Sequence, residues 1–500
     1  MSSILAIDQG TTGTTCLVLD EHSEVRARAY SEFTQHYPEP GWVEHDPEEI
    51  WEVTLRVARD ALREAERAGV APAVAIGITN QRETVVLWDR ATGRPLHRAI
   101  VWQDRRTAAR CRQLREDGLE PWVQERTGLV LDPYFSATKL GWLLDHVPGA
   151  RDRAQAGELA AGTIDSWLIW KLTGGRVHAT DPTNASRTLL YNVGSLAWDD
   201  DLLMLFRVPR ELLPEVRPSR GDFGETEPAL FGRPLPVRGV AGDQQAALFG
   251  QGCWTAGRAK NTYGTGAFML LHTGGERVAS AHGLLTTVAC DARGEPAYAL
   301  EGSIFIAGAG VQWLRDELGV ITSAAETEGL AASLASNDGV YLVPAFVGLG
   351  APHWEAEARG TLVGITRGTT RAHLARAALE AMAYGTRDVL DAMAADSGVP
   401  LQALAVDGGA AQNDWLMQFQ ADVLDVPVLR PRMVETTALG AAGLAGIGAG
   451  VWRDGDDFIG ARAEPATFQP GMPPEERDAL LRGWHRAVGS ALAWARATYA

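Results

Sequence analysis

Ile4-Leu5-Ala6-Ile7-Asp8-Gln9-Gly10-Thr11-Thr12-Gly13-Thr14-Thr15-Cys16-Leu17-Val18-Leu19 reads as strand, tight turn, strand, with the turn running from Asp8 to Thr15. The pattern returns in the second half as Lys260-Asn261-Thr262-Tyr263-Gly264-Thr265-Gly266-Ala267-Phe268. Each copy sets glycines beside threonine hydroxyls. A turn of that kind presents successive backbone N–H groups and small hydroxyl donors, which suits phosphate oxygens. A lone Gly/Thr hairpin carries little weight, because tight hairpins use glycine for positive φ in any case. Two copies, one per half, point to two related domains clamping one nucleotide. Asp8, at the end of the first strand, could hold Mg²⁺ through water.

Five hundred residues exceed one core and fit two domains of roughly 250 residues each, with the boundary expected near residues 245–258 and the units at 1–250 and 251–500. The chain is 46% apolar and 22% charged, as soluble globular proteins are. A net charge of −17 argues against a nucleic-acid or anionic-membrane partner. An anionic ligand must therefore be met by local donors and metal. Lysine occurs only at 139, 171 and 260, which reads as a coding bias. Cys16, Cys111, Cys253 and Cys290 show no metal spacing and fit a reducing cytoplasm. Asp8 interrupts the only apolar stretch near the start, so no signal peptide is expected. Ala438 to Gly450 is too short and glycine-rich to span a bilayer and reads as a close-packed helix.

Strands alternate with helices along the chain. Val25 to Phe33 reads as a further strand, and Asp46-Pro47-Glu48-Glu49 has the marks of a helix start. Ile50, Val53, Val57, Ala58, Ala61 and Leu62 follow at helical spacing, and Gly69 can end that helix. Ala73 to Ile78 reads as a buried strand, residues 373–393 as a long helix, and Asn413 as a helix cap after the strand ending at Val406. The scheme is an α/β fold with helices on the sheet faces.

Five polar clusters remain: Asn80-Gln81-Arg82-Glu83, Trp102-Gln103-Asp104, Asp132-Pro133-Tyr134, Gly242-Asp243-Gln244-Gln245 and Asp407-Gly408-Gly409. Open α/β sheets place ligands at the carboxyl ends of strands, where the first and fourth clusters fall. Each has a plain structural reading too. Arg82–Glu83 could be a surface ion pair, Trp102 and Tyr134 packing residues, and Asp243 a helix cap.

On these stretches, with Gly77 to Thr84, Pro133 to Ser136, Asp181 to Thr188, Gly242 to Gln251 and Asn261 to Phe268, the chain resembles the FGGY carbohydrate kinases almost end to end. Within them it is most similar to the branch that phosphorylates glycerol. The resemblance implies an actin-like ATPase fold of two ribonuclease-H-like α/β domains with the active site in the cleft. It implies that Arg82, Glu83, Tyr134, Asp243 and Gln244 bind glycerol while Trp102 and Phe268 pack on its carbons. Thr11, Thr12, Gly13 and Thr265 would meet the phosphates of ATP, and Gly308, Gln312, Gly409 and Asn413 the adenosine part. Asp8 and Asp243 would hold Mg²⁺, Asp243 would be the base, and Arg82 would offset charge on the transferred group. A cytoplasmic homo-oligomer, dimer or tetramer, is also implied. A triol suits such a set: Glu83 and Asp243 accept, Arg82, Gln244 and Tyr134 donate, and aromatic faces cover the C–H groups.

The pattern departs from the family at two places. Ser-Ser-Arg commonly follows the paired threonines, whereas Gly13-Thr14-Thr15 stands here and the arginine is absent. Some members are inhibited by fructose bisphosphate through Gly-Gly-x-Gly-Gly-x-Arg, and others are activated by phosphorylation of a histidine in the same region. Glu225 to Arg233 keeps only Gly232-Arg233, and no histidine lies between His178 and His272, so insensitivity to both is expected. The alternatives are an FGGY kinase for a pentulose or tetritol, and an actin-like ATPase that transfers to no acceptor.

Overall fold

The computed structural model describes residues 2–497 apart from 434 and 463. Its first sheet contains β1 (Ser3–Gln9), β2 (Gly13–Asp20), β3 (Val25–Glu32), β4 (Ala73–Asn80) and β5 (Val237–Gly242), in the order β5-β4-β1-β2-β3. β1, β2 and β3 pair antiparallel, and β4 and β5 add parallel to β1. The second sheet is built from β6 (Arg258–Tyr263), β7 (Ala267–Gly274), β8 (Leu285–Cys290), β9 (Pro296–Ile304), β10 (Ala403–Gly408), β11 (Val428–Arg430) and β12 (Ala466–Phe468). Its order is β8-β9-β7-β6-β10-β11-β12. Strands β9-β7-β6-β10-β11 repeat the first sheet's directions one for one: antiparallel, antiparallel, parallel, parallel. The duplicated hairpins thus open two copies of one topology.

Helix α1 (Pro47–Arg67) joins β3 to β4 and starts as its sequence predicts, with Asp46 accepting from the Glu48 amide. Leu5 and Ile7 pack toward α1, in one core with Ile50, Val53 and Val57. The strand alternation turns Ile4 and Ala6 to the opposite face. Two helices matter there. Helix α2 (Asp243–Gly250) leaves β5, and farther along the chain come α3 (Gly308–Asp316), α4 (Arg371–Ser397), α5 (Asp414–Leu424) and α6 (Thr436–Gly448). Although α6 belongs to the second half, Ala438, Leu439, Ala442 and Ala445 share a core with Ile4, Ala6 and Ala75 of the first sheet.

Glycine permits that approach. A Cβ on Gly440 would collide with the Ala246 carbonyl of α2, and one on Gly77 with the Ala441 carbonyl of α6. The stretch 438–450 is therefore the close-packed helix its composition suggests, α6 ending at Gly448. Helix α2 in turn sets Leu248 against Leu270, Ala289, Ala299 and Ala405 of the second sheet. The α2–α6 pair is the layer between the two sheets. Among the described residues no helix is long and apolar enough to cross a membrane.

Candidate active site

The site gathers at the carboxyl ends of β1 and β4 and the start of α2. Asp8 is next to last in β1, on the same face as Ile4 and Ala6, so it points toward the α2–α6 layer. Asp243 is the first residue of α2, and Glu435 immediately precedes α6. Burial, then the charge of Asp243, then that of Glu435 push the Asp8 carboxyl up to about 7. A strand-end carboxyl that feels a second carboxylate's charge is suited to a divalent cation.

Arg82 and Glu83 follow β4 and are buried, with side chains 2% exposed, which excludes the surface ion pair. Arg82 Nε lies 3.2 Å from Asp243 Oδ1. Its Nη1 donates to Glu301 Oε2 at 2.7 Å and Gln245 Oε1 at 3.1 Å, and Nη2 donates to Glu301 Oε1 at 3.1 Å. A longer bond of 3.5 Å runs from Nη2 to Tyr134 Oη. Arg187 donates to Glu83 Oε1 at 2.7 Å and Glu301 Oε1 at 2.9 Å. Burial alone would raise the Glu301 carboxyl, but Arg187 and Arg82 hold it down to about 2. For Glu83 burial prevails over the same two arginines and the pKa is raised. Arg82 was expected to reach the transferred group; its terminal nitrogens are instead committed to Glu301, Gln245 and Tyr134.

Glu83 takes φ +61°, a left-handed conformation that costs a non-glycine residue free energy and recurs at functional sites. Asp243 does not act as the helix cap, a place held by Gly242. Its side chain keeps 31% of its surface open while protein displaces most of the surrounding water. Burial raises its pKa against the pull of Arg82. Tyr134 packs edge-on to Trp102 with ring centroids 5.5 Å apart. Trp102 Nε1 donates to Thr11 Oγ1 at 2.9 Å, which ties the acceptor cluster to the first hairpin. Phe268 lies two residues before Leu270 in the alternation of β7, on the same face, the one turned to α2. Lys260 and Thr262 of β6 pair with Leu270 and Phe268 and share that face. Lys260 donates to Gln244 Oε1 and, at 2.9 Å, to Thr262 Oγ1.

The two hairpins are narrower than the sequence suggests, with only residues 10–12 and 264–266 outside the strands. None of their four glycines has positive φ among the described residues. Close packing explains two of them: a Cβ on Gly13 would lie 2.8 Å from the Tyr30 ring, and one on Gly266 2.5 Å from the Ile304 carbonyl. Thr14 turns its hydroxyl to Thr54 at 3.3 Å. Thr15 pairs with Asp8 across the hairpin. Thr12 and Thr265 are exposed. The Thr265 carbonyl accepts from Ala307 and Ala309 at the start of α3, and Gly308 donates to Gly264 O at 3.0 Å. Gly308 and the second hairpin are thus in contact, while Gln312 is exposed one turn along α3. Gly409 is exposed with open space around it. Asn413 spends its side chain on capping α5, accepting from Leu416 N at 2.9 Å, and on Thr327 at 3.3 Å.

Residues 3–250 match the model of the N-terminal domain of the FGGY family of carbohydrate kinases, and residues 259–449 match that of its C-terminal domain. The chain belongs to the FGGY family of carbohydrate kinases. A glycerol kinase from Rhodospirillum centenum is 62% identical, with 97% of each chain covered. The ADP-bound glycerol kinase of Plasmodium falciparum has the same two-domain architecture, with a TM-score of 0.94, 36% identity and 98% of each chain covered. A xylulose kinase from Lactobacillus acidophilus shares the fold at a TM-score of 0.89 and 20% identity, with 99% of each chain covered. The FGGY fold therefore persists where the acceptor differs.

Among the residues bonded to the candidate acceptor cluster of this FGGY chain, sequence reasoning missed Glu301, Arg187 and Lys260. Arg187 sat inside a stretch used for the family resemblance. Glu301 is the one acidic residue of strand Pro296–Ile304, and Lys260 one of three lysines. A charge inside a strand, or a rare residue beside a ligand turn, was the available signal.

Proposed function

We infer that this chain transfers the terminal phosphoryl group of ATP to glycerol, giving sn-glycerol 3-phosphate and ADP. The observation that carries the reading is Asp243: a partly open carboxylate held by Arg82 and near enough to Asp8, beside the first hairpin, for its charge to raise the Asp8 pKa. The 62% identity to a glycerol kinase supports the same acceptor.

In this reading glycerol lies against Asp243, Glu83, Gln244 and Tyr134, with Trp102 and Phe268 over its carbons. Glu83 accepts a hydrogen bond from a glycerol hydroxyl, and Arg82 contributes through Nε beside Asp243 while Glu301 anchors its other end. Pockets of paired buried polar groups reject ligands that leave those groups unpaired by roughly 10⁴-fold. Phosphoryl transfer has a loose transition state, so Asp243 chiefly orients the attacking hydroxyl and takes its proton late. Thr11, Thr12, Gly13 and Thr265 would line the phosphates, with Gly308, Gln312, Gly409 and Asn413 toward the adenosine. Asp8 and Asp243 fit Mg²⁺, since their mutual repulsion is what a dication relieves. Bound there, Mg²⁺ would neutralise phosphate charge. We read the halves as units of 1–250 and 251–500, in a cytoplasmic dimer or tetramer.

The test is Asp243→Asn in an assay coupling ADP release to glycerol 3-phosphate. kcat should fall about 10²-fold or more with glycerol KM changing much less. A variant keeping most of its kcat would remove Asp243 from the mechanism.

A further inference from the structure

Of the three lysines, two are buried behind this site. Lys139 donates to the Tyr134 carbonyl at 2.6 Å, and Lys260 reaches Gln244 and Thr262. Both side chains are without exposed surface. Lys260 therefore touches neither substrate and acts through what it holds.

We propose that Lys260 is a positioning residue that fixes the amide of Gln244 with Oε1 turned inward, so that Nε2 is the group offered to glycerol. This rests on glycerol being the acceptor. A glutamine amide has a donor end and an acceptor end of nearly equal size, and its orientation follows from its neighbours. An ammonium has three donors and no acceptor, so it admits only the oxygen end. The reversed amide would set NH₂ against NH₃⁺ with no water between them.

The competing use of Lys260 is as counter-ion to Asp407, which pairs with Thr262 across β6 and β10. Asp407 is buried and accepts from Gln251 and Thr436 through Oδ2 only. Its Oδ1 has no hydrogen-bond partner. The ammonium thus spends its two bonds on neutral acceptors while a buried carboxylate oxygen beside it goes unpaired. Burying an ammonium is costly. A group serving charge balance alone would turn to Asp407. The direction taken is toward the helix that begins with Asp243, from the strand that leads into the Thr265 hairpin. Lys260 so links the amide facing the acceptor to the strand facing the nucleotide.

A double-mutant cycle tests this. Lys260→Met in the full-length enzyme should raise glycerol KM roughly 3- to 10-fold, the weight of one hydrogen bond, with ATP KM changing less than about twofold. Placed on Gln244→Ala, the same change should shift glycerol KM by less than about twofold, because the amide it orients is gone. Additive effects would overturn the inference, since a merely structural lysine acts whatever stands at 244. Gln244→Glu tests the orientation without touching Lys260. It keeps the acceptor for the ammonium and loses the donor, so glycerol KM should rise as it does in Gln244→Ala. A Gln244→Glu enzyme with the wild-type KM would overturn the inference even if Lys260→Met fails to fold. A wild-type enzyme inactive on glycerol would overturn the proposed reaction as well, which separates the two failures.

Discussion

In the proposed transfer, Asp243 must be basic enough to take a proton yet remain ionised where protein displaces its water. Arg82 answers the second demand, and Glu301 keeps Arg82 in place from the opposite sheet. Glu301 is therefore expected to matter for stability as much as for binding. Its folded pKa of about 2 lies below its ordinary 4.5, so its contribution is present in full above about 4.5 and lost as pH falls through 2. Glu301→Gln leaves two buried guanidiniums short of a partner and should cost on the order of 3–5 kcal/mol near neutrality. Urea unfolding at a series of pH values checks this. The gap between wild type and variant should narrow toward pH 2, and a gap independent of pH would contradict the assigned ion pairs. Asp243 and Arg82 were candidates in the sequence because each sits in a polar cluster at a strand end, and Tyr134 because it sits in a polar cluster just before a helix. Glu301 was not, because it meets Arg82 only through tertiary contact across 219 positions of chain.

At the scale of elements, the strands and caps of both halves followed from periodicity and local chemistry: Asp46 and Asn413 cap helices where they were expected to. The crossing of α6 onto the first sheet was not legible, since its composition announces close packing without naming the partner. That contact gives a direct prediction. Gly440→Ala must push α6 off α2, and overpacking of this kind costs about 1–3 kcal/mol. The urea midpoint should drop with little change in slope; an unchanged midpoint would show that the two helices have room to spare. The segment after Gly224 is also an element-scale matter. Pro228–Phe231 forms a single helical turn, Arg59 donates to the Leu230 carbonyl at 2.8 Å, and Arg233 is occupied by the Ala73 carbonyl. Its one remaining cation is already paired, so millimolar fructose bisphosphate should leave the rate at physiological glycerol unchanged. Incubation with a phosphorylated phosphocarrier should likewise yield no phosphohistidine between residues 179 and 271. Inhibition in the first assay or a labelled residue in the second would refute the expectation.

At the scale of the molecule, one topology used twice sets two Gly/Thr hairpins at the ends of two sheets, with the α2–α6 layer between them. The duplication was legible from the two hairpin sequences, and the strand order bears it out. The identity of the acceptor is not a property of that architecture, which a xylulose kinase shares at a TM-score of 0.89. In the proposed reading it depends on the cluster of Arg82, Glu83, Tyr134, Asp243 and Gln244 against Trp102 and Phe268. The most direct measurement is ATP consumption by the purified protein across glycerol, tetritols, xylulose and other pentuloses, with and without acceptor. The account predicts stoichiometric ADP and sn-glycerol 3-phosphate, with kcat/KM for glycerol above any pentulose by several orders of magnitude, in line with roughly 10⁴-fold discrimination by a paired polar pocket. ATP turnover indifferent to glycerol, or a pentulose preferred over it, would contradict the account.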